Sequence, residues 1–188
     1  MKPLAFTVAL AASILPIAVA QTPSTTPSTP QQSNSTEHMH RAPATPSTKL
    51  AVLGLDGKIL TFNVADIKDL PHLTVTVNNA HTKTPETYSG VPVSELIKRA
   101  EPTLANGEKP KTKPLMTIVV AGGTDDYHIV LTLCDIDPSC RNGMVIVADR
   151  LDGQPLTQDG AFKLIVTEDK KPQRWVRNLD SLTIKAVN

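Results

Sequence analysis

The pattern of hydrophobic and polar residues changes at about Lys49. Beyond that point, short runs of alternating or continuous aliphatic residues are separated by turn residues, which is typical of β-strands. Asp56-Gly57 lies between the first two runs and favours a hairpin turn there. The pattern predicts strands at residues 50–54, 59–62, 73–77, 116–120, 127–133, 144–148, 163–166 and 182–187.

Two short helices are predicted between these strands. Val64, Ile67 and Leu70 lie at helical spacing after a candidate N-cap, Asn63. The second helix, residues 93–100, begins directly after a proline, which is a favoured residue at a helix start. Its apolar residues also fall on one face.

The remaining segments are predicted to be irregular, with residues 78–90 forming a loop and residues 121–125 a turn. The helices are inserted among many short strands and do not alternate with them. This arrangement indicates an α+β fold with a mainly antiparallel or mixed β-sheet and two or more short inserted helices.

The first twenty residues are typical of a signal peptide. Lys2 precedes an apolar run, residues 4–19, and Ala18-Val19-Ala20 places small residues at the positions that a signal peptidase reads. The run is shorter than the roughly 20 residues that a bilayer-spanning helix needs. We expect a Sec-type signal peptide cleaved after Ala20, a periplasmic or secreted protein, and no transmembrane segment after cleavage.

Residues 21–48 are rich in Thr, Ser, Pro and Gln, and Met39 is their only large apolar residue. Such a segment cannot bury enough apolar surface to offset its chain entropy, so it is predicted to be a disordered tether. His38 and His40 flank Met39, and whether they bind a copper or nickel ion stays open. The globular domain is predicted to span residues 49–188.

The charge balance excludes one class of partner. The chain has 19 basic and 18 acidic residues, a net charge of +1, whereas a general nucleic-acid binder needs a basic excess. Aromatic residues make up 3% of the chain, which leaves few rings on which bases could stack. No nucleic-acid partner is expected, while a small anionic ligand or a protein partner stays open.

The chain contains two cysteines, Cys134 and Cys140. In an exported protein such a pair favours a disulfide, and Asp137-Pro138 supplies the turn that a short loop needs. A metal-binding pair and a redox pair are the alternatives. No histidine flanks the motif, and the spacing is not Cys-x-x-Cys, so a structural disulfide is predicted.

The densest basic segment is residues 170–177, which hold four cations and the only tryptophan, Trp175. Two interpretations stay open: a solvated loop that Trp175 anchors to the core, or a site for a phosphate-like anion, because guanidinium groups match phosphate oxygens. The histidines His72, His81 and His128 are scattered, and none of them belongs to a recognisable catalytic motif.

Several short motifs follow one another in a recognisable order. They are Leu53-Gly54-Leu55-Asp56-Gly57, Leu70-Pro71, residues 73–77, residues 88–93, residues 123–127, Val147-Ala148-Asp149, residues 152–156, residues 164–166 and residues 174–179. In this order they resemble the molybdopterin-binding domain of the sulfite oxidase type of oxidoreductase, over nearly all of residues 49–188. The resemblance implies the fold of that domain and molybdopterin as a cofactor.

The resemblance also implies which residues contact the cofactor. In that family a pterin dithiolene and a cysteine thiolate hold molybdenum, and the thiolate comes from the loop that here begins at Asn78 and contains no cysteine. An amide oxygen is a poor substitute for a soft thiolate. Arg174 and Arg177 match positions that help bind the pterin and its phosphate. Lys163 lies near the position of a family arginine, one residue out of step, and Asp159 replaces an asparagine.

The candidate cofactor-binding residues are therefore Arg174, Arg177, Asn78 and Lys163, and no molybdenum ligand is identified. Exported molybdenum enzymes of this kind usually leave the cytoplasm folded, by the twin-arginine route. The single Lys2 and the lack of an arginine pair indicate instead a chain that is exported unfolded, without a preloaded cofactor.

Three functions stay open at this point. The first is a stand-alone exported domain that acts as a non-catalytic or weakly cofactor-binding accessory module. The second is an active molybdopterin-dependent oxidoreductase with altered metal ligation. The third is an unrelated extracytoplasmic ligand-binding or adhesion domain. The missing thiolate favours the first.

Overall fold

The computed structural model describes residues 44–80, 82–101 and 116–187. The predicted signal peptide, most of the predicted tether, and His38, His40 and His81 lie outside these residues. Ser47, two residues before the predicted start of the domain, is buried, and its carbonyl accepts a hydrogen bond from the Ala161 amide at 2.8 Å.

Ten strands and three helices form in the described ranges. The strands are β1 (Lys49–Leu53), β2 (Ile59–Asn63), β3 (Leu73–Asn78), β4 (Pro85–Pro92), β5 (Thr117–Gly123), β6 (His128–Thr132), β7 (Val145–Leu151), β8 (Gln154–Pro155), β9 (Lys163–Val166) and β10 (Leu179–Ala186). The helices are α1 (Val64–Lys68), α2 (Val93–Ala100) and α3 (Leu133–Ile136), and a 3₁₀ turn covers Pro172–Arg174.

The strands form two five-stranded sheets. The first sheet has the order β2-β1-β10-β5-β6, and its neighbours are antiparallel except for the parallel pair β1 and β10. The second has the order β3-β4-β7-β8, and β9 also pairs with β7, all antiparallel. Short helices among mixed and antiparallel sheets confirm the predicted α+β class.

The main core joins the two sheets and α2. Apolar side chains from β1, β5 and β10 meet those from β7 and β9, and α2 contributes Val93, Leu96, Ile97 and Ala100. Because successive side chains of a strand point to opposite faces, β9 sends Leu164 and Val166 into this core. Its other face carries Lys163 and Ile165, and a second cluster of Tyr88, Ile146, Ala148 and Ile165 forms there.

Local sequence signals fix the first elements as predicted. The Asn63 side chain accepts hydrogen bonds from Ala65 N and Asp66 N, so it caps α1. Gly57 has φ +80° in the predicted hairpin turn, a conformation that glycine adopts without steric cost. The loop is also tied to α2, because the Glu101 carboxylate accepts from Leu55 N.

The prediction of a loop over residues 78–90 is wrong, since Pro85–Pro92 is a strand that pairs with β3 on one side and β7 on the other. Its two prolines lie at the strand ends, where fewer ladder hydrogen bonds are lost. Gly90 explains the close approach of β7: a Cβ there would overlap the Val147 carbonyl and lie 2.5 Å from Ala148 Cα.

Several further boundaries differ from the prediction: β7 runs on to Leu151, and β10 begins already at Leu179. The predicted turn at residues 121–125 is partly strand, because β5 continues to Gly123. The predicted strand 127–133 ends at Thr132, whose side chain accepts a hydrogen bond from Asp135 N at 3.1 Å and so begins α3. The predicted disulfide is confirmed: Cys134 in α3 is bonded to Cys140, with the two Cα atoms 5.3 Å apart.

We expect the Gly90→Ala variant to lose about 3 kcal/mol of unfolding free energy, because β4 and β7 must separate to admit the methyl group. Urea unfolding measures this loss. The matched control is Gly57→Ala, where a Cβ meets no atom within 4 Å and only the positive φ opposes alanine. Its expected loss is about 1 kcal/mol. Equal losses in the two variants would contradict the close approach.

Candidate functional site

Lys163 is the centre of a polar cluster on the outer face of the second sheet. The residue is only 7% exposed. Its Nζ donates to Asp159 Oδ2 at 2.7 Å and to the Tyr88 hydroxyl at 3.0 Å. The ammonium also lies 5.0 Å from the centroid of the Tyr88 ring and 5.5 Å from that of Trp175. A carboxylate and two aromatic faces therefore stabilise its charge.

The cluster continues from Tyr88 to the end of β3. The Tyr88 hydroxyl donates to Glu86 Oε2 at 2.8 Å, and the Asn79 side-chain amide donates to Glu86 Oε1 at 2.7 Å. The predicted site residue Asn78 is exposed and lies opposite Pro85 in the strand register. Its neighbour Asn79 therefore extends the hydrogen-bonded chain that leads to Lys163.

The pKa of Tyr88 is raised well above its ordinary value. The main cause is burial, which disfavours the phenolate, and the hydrogen bond that Tyr88 donates to Glu86 adds to it. The negative charges of Glu86, Asp159 and Asp152 act in the same direction. Tyr88 thus stays a neutral donor to Glu86 and a neutral acceptor for Lys163.

Arg177 marks the solvent side of this cluster. Its side chain is 69% exposed, and its Nε lies 3.9 Å from Asp159 Oδ1. Asp159 therefore lies between two of the predicted cofactor-binding cations, Lys163 and Arg177. Asp159 stands where the family that the sequence resembles has an asparagine, and it is the internal partner of both cations.

Trp175 anchors the basic segment to the sheet. Its indole Nε1 donates to the Val166 carbonyl at 2.9 Å, and its ring meets Tyr88 edge-on with centroids 5.9 Å apart. These contacts agree with the first interpretation of residues 170–177, a loop that Trp175 anchors to the core. Lys170 and Lys171 of the same segment are exposed.

Arg174 belongs to a second cluster. Its Nε and Nη2 donate to the two oxygens of Asp169 at 2.7 and 2.6 Å, and its Nη1 donates to Asp135 Oδ1 at 3.0 Å. The bidentate bond to Asp169 is the main cause that raises the pKa of Arg174; burial opposes it and Asp135 adds to it. Arg174 is thus neutralised by two carboxylates.

Asp135 is the shared carboxylate of this second cluster. Its Oδ2 accepts from Thr132 N at 2.9 Å, while Arg141 Nη1 lies 3.3 Å from the same Oδ1 that Arg174 contacts. Burial alone would raise the pKa of Asp135. The hydrogen bonds from Thr132 and from Arg174 outweigh burial and hold that pKa below its usual range.

The sequence did not reveal which acidic residues pair with the predicted cations. Asp169 and Asp135 carry no motif that links them to Arg174. A signal for Asp135 did exist, because Thr132 followed three residues later by an acidic residue is the pattern of a capping box. Tyr88 lies 75 residues from Lys163 in the sequence, so no local pattern could pair them.

The two histidines in the described ranges, His72 and His128, take no part in either cluster. His72 Nε2 lies 3.2 Å from Asp149 Oδ1, and its Nδ1 lies 2.7 Å from the Leu70 carbonyl. His128 is exposed. Across the described ranges, no group of three or more His, Cys, Asp or Glu side chains is placed to hold a metal ion. Nor is any helix there long and apolar enough to cross a membrane.

The residues at the expected cofactor positions do not fit a molybdenum pterin. Both cysteines of the chain are joined in the disulfide, so neither supplies a thiolate. Three of the four predicted contacts, Lys163, Arg174 and Arg177, have an internal carboxylate within 4 Å. A phosphate group would have to compete with those carboxylates for each cation.

The Asp135→Asn variant is expected to lower the unfolding free energy at pH 7 by about 1–2 kcal/mol, since two arginines lose a charged acceptor. The pKa of Asp135 is lowered in the folded state, so its contribution is complete above the usual aspartate pKa of about 3.9. It disappears as the pH falls through the lower, folded-state pKa. In urea unfolding, the difference from wild type should be the same at pH 7 and pH 5 and smaller at pH 3.

The exposed Asp69 provides the matched control, and Asp69→Asn should change the unfolding free energy little at any of these pH values. A difference between Asp135→Asn and wild type that stays constant down to pH 3 would contradict the charged pairing.

A second pH effect is expected at Tyr88. Because its folded-state pKa is raised, the stability that the neutral phenol provides is present below about pH 10 and is lost as the pH rises further. In a Tyr127→Phe variant, which leaves Tyr88 as the only tyrosine, phenolate absorbance should stay absent at about pH 10.5 while the chain is folded. It should appear when urea unfolds the chain at the same pH.

Comparison with known proteins supports the fold. No protein-family model and no curated protein matches the chain. Among solved structures, the chain is similar to the sulfane dehydrogenase SoxCD from Paracoccus pantotrophus, with 22% sequence identity and a TM-score of 0.54. The match covers 74% of this chain and 39% of that chain. At this identity the likeness shows that the two share a fold.

Proposed function

We propose that this chain is an exported, non-catalytic accessory module built on the molybdopterin-binding fold of the sulfite oxidase type. Two independent observations support that fold: the order of motifs along the sequence, and the structural likeness to a sulfane dehydrogenase. The chain spans well under half of that neighbour's length, so the neighbour's dehydrogenase activity is not carried over.

One observation carries the non-catalytic part of the proposal: internal carboxylates occupy the cations that would hold an anionic cofactor. Asp159 lies 2.7 Å from Lys163, and Asp169 forms a bidentate pair with Arg174. An internal carboxylate has lost most of its freedom on folding, whereas a ligand must lose translational and rotational freedom to bind. The internal partner therefore competes well against a dilute anion.

The lack of a thiolate supports the same conclusion. In the family that the sequence resembles, the protein supplies molybdenum with a soft thiolate from the loop after β3. Here the end of β3 offers only the side-chain amides of Asn78 and Asn79. The second hypothesis, an oxidoreductase with altered ligation, would need a cysteine, and Cys134 is bonded to Cys140.

The location of the module is part of the proposal. The Sec-type signal peptide predicted at residues 1–20 would deliver an unfolded chain to the periplasm or beyond, where the domain folds and the disulfide forms. The module would act there by binding and not by catalysis. Its ligand would be a small anion or a partner protein.

Metal and pterin analysis tests the proposal. The full chain is expressed with its own signal peptide in a bacterial host that makes molybdopterin, and purified from the periplasm. We expect far less than one molybdenum atom and one pterin per chain. A cysteine-containing enzyme of the sulfite oxidase type, expressed in the same host, shows that cofactor is available. Stoichiometric molybdenum would sink the proposal and favour altered ligation.

A further inference from the structure

The outer face of the first sheet is uncovered within the described ranges. Alternate side chains of all five strands point to the inner face and pack into the main core. The buried residues of α1, α2 and α3 belong to the same core, so these three helices lie on the inner side. The remaining residues of each strand point away from the core, and no described helix lies over them.

One row of side chains crosses the middle of this face. Strand pairing places five residues side by side: Ile59, Leu53, Thr183, Val120 and Val130. Four of them are aliphatic. Ile59 is 60% exposed and Val130 is 54% exposed. Leu53 and Val120, between them, are half-buried. Contiguous exposed apolar side chains with polar surroundings are typical of a protein–protein contact.

The central strand, β10, carries opposite charges on the two sides of this row. Lys185 lies two residues beyond Thr183 and is exposed. Ser181 lies two residues before Thr183, and its hydroxyl donates to Asp180 Oδ1 at 2.8 Å. Lys185 and Ser181 both point outward, because core residues alternate with them along the strand. Each lies about 7 Å from the row, measured along the strand.

We propose that this face binds the same face of a second copy of the chain, in a symmetric dimer. The two-fold axis runs along the apolar row, across the strands, so that the two β10 strands lie antiparallel and face each other. Each residue of the row then meets its own counterpart, as a symmetric interface requires. The dimer does not depend on the proposed accessory function.

The charges favour this arrangement over the other symmetric one. With the axis along the row, Lys185 of each copy faces Asp180 and Ser181 of the other copy, which gives two lysine–aspartate pairs in each dimer. An axis parallel to the strands would instead bring the two Lys185 side chains together, and likewise the two Asp180 side chains. Like charges that face each other oppose association. The charge pattern therefore selects antiparallel β10 strands.

The size of the face sets the expected affinity. Five strands about 4.8 Å apart, with about five residues each, give a face about 24 Å wide and about 17 Å long. This is small beside the roughly 800 Å² that each partner buries in a stable complex of standard size. We therefore expect a reversible dimer with a dissociation constant in the micromolar range.

Sedimentation velocity tests the association. The full chain, exported with its own signal peptide and purified from the periplasm, is measured from about 1 to about 100 µM, a range that brackets a micromolar dissociation constant. We expect the dimer fraction to rise across this range. A monomer at every concentration would overturn the proposal. So would species that keep growing beyond a dimer, because a symmetric contact between two copies closes on itself.

Two variants test the apolar row. Val120→Lys and Val130→Lys each place two ammonium groups opposite each other, because a residue on the axis meets its own counterpart. Each should weaken dimerisation at least about tenfold. Val130 is exposed, so lysine is tolerated there even if Val120→Lys fails to fold. Leu73→Lys is the matched control, since Leu73 is 39% exposed on β3 of the second sheet, and it should dimerise like wild type.

Wild-type dimerisation of folded Val130→Lys would overturn the proposed face. Dissociation of Leu73→Lys together with an intact Val130→Lys dimer would place the contact on the second sheet and overturn it as well.

A mixing experiment tests the pairing of Lys185 with Asp180. Lys185→Glu and Asp180→Lys each turn both pairs of the dimer into like charges, so each variant alone should dimerise at least about tenfold more weakly than wild type. In an equimolar mixture, a dimer with one chain of each kind has two pairs of opposite charge. The mixture should therefore regain dimer. Because misfolding of either variant cannot be repaired by mixing, a mixture that remains monomeric would overturn the arrangement.

Discussion

An ammonium group beneath two aromatic rings dictates the chemistry of the outer face of the second sheet. Lys163 is placed there by the alternation of β9, which sends its neighbour Leu164 into the main core. A buried charge costs several kcal/mol unless it is paired and hydrogen-bonded. Asp159 pairs with the ammonium, and the Tyr88 hydroxyl accepts a second hydrogen bond from it. That hydroxyl donates in turn to the Glu86 carboxylate. One buried lysine thus specifies a connected polar network.

The fold could be predicted from the sequence wherever a local signal acts alone. The cap at Asn63 and the turn at Gly57 needed no information from elsewhere in the chain. The strand β4 was missed because its prolines and Gly90 resemble loop signals. Gly90 is required by the close approach of β7, whose Val147 and Ala148 are more than fifty residues away in the sequence. A contact between residues so far apart in the sequence produces no local hydrophobic pattern that could predict it.

The candidate site follows the same division. Lys163, Arg174 and Arg177 could be named from their positions in the motifs, because the residue types and their order are visible in the sequence. Which carboxylates neutralise these cations could not be predicted from the sequence. Asp135 reaches Arg174 across 39 residues, through the geometry of α3 and its disulfide. The sequence therefore predicted cations available for an anion, whereas the folded chain neutralises them.

Internal neutralisation determines how such a site can be used. A tethered carboxylate faces its arginines at high effective concentration, so raising the concentration of a free anion displaces it only weakly. A structural change that moves the carboxylate acts differently, because it removes the competitor from every chain at once. A ligand at Lys163 must therefore compete with Asp159, and a ligand at Arg174 with Asp169 and Asp135.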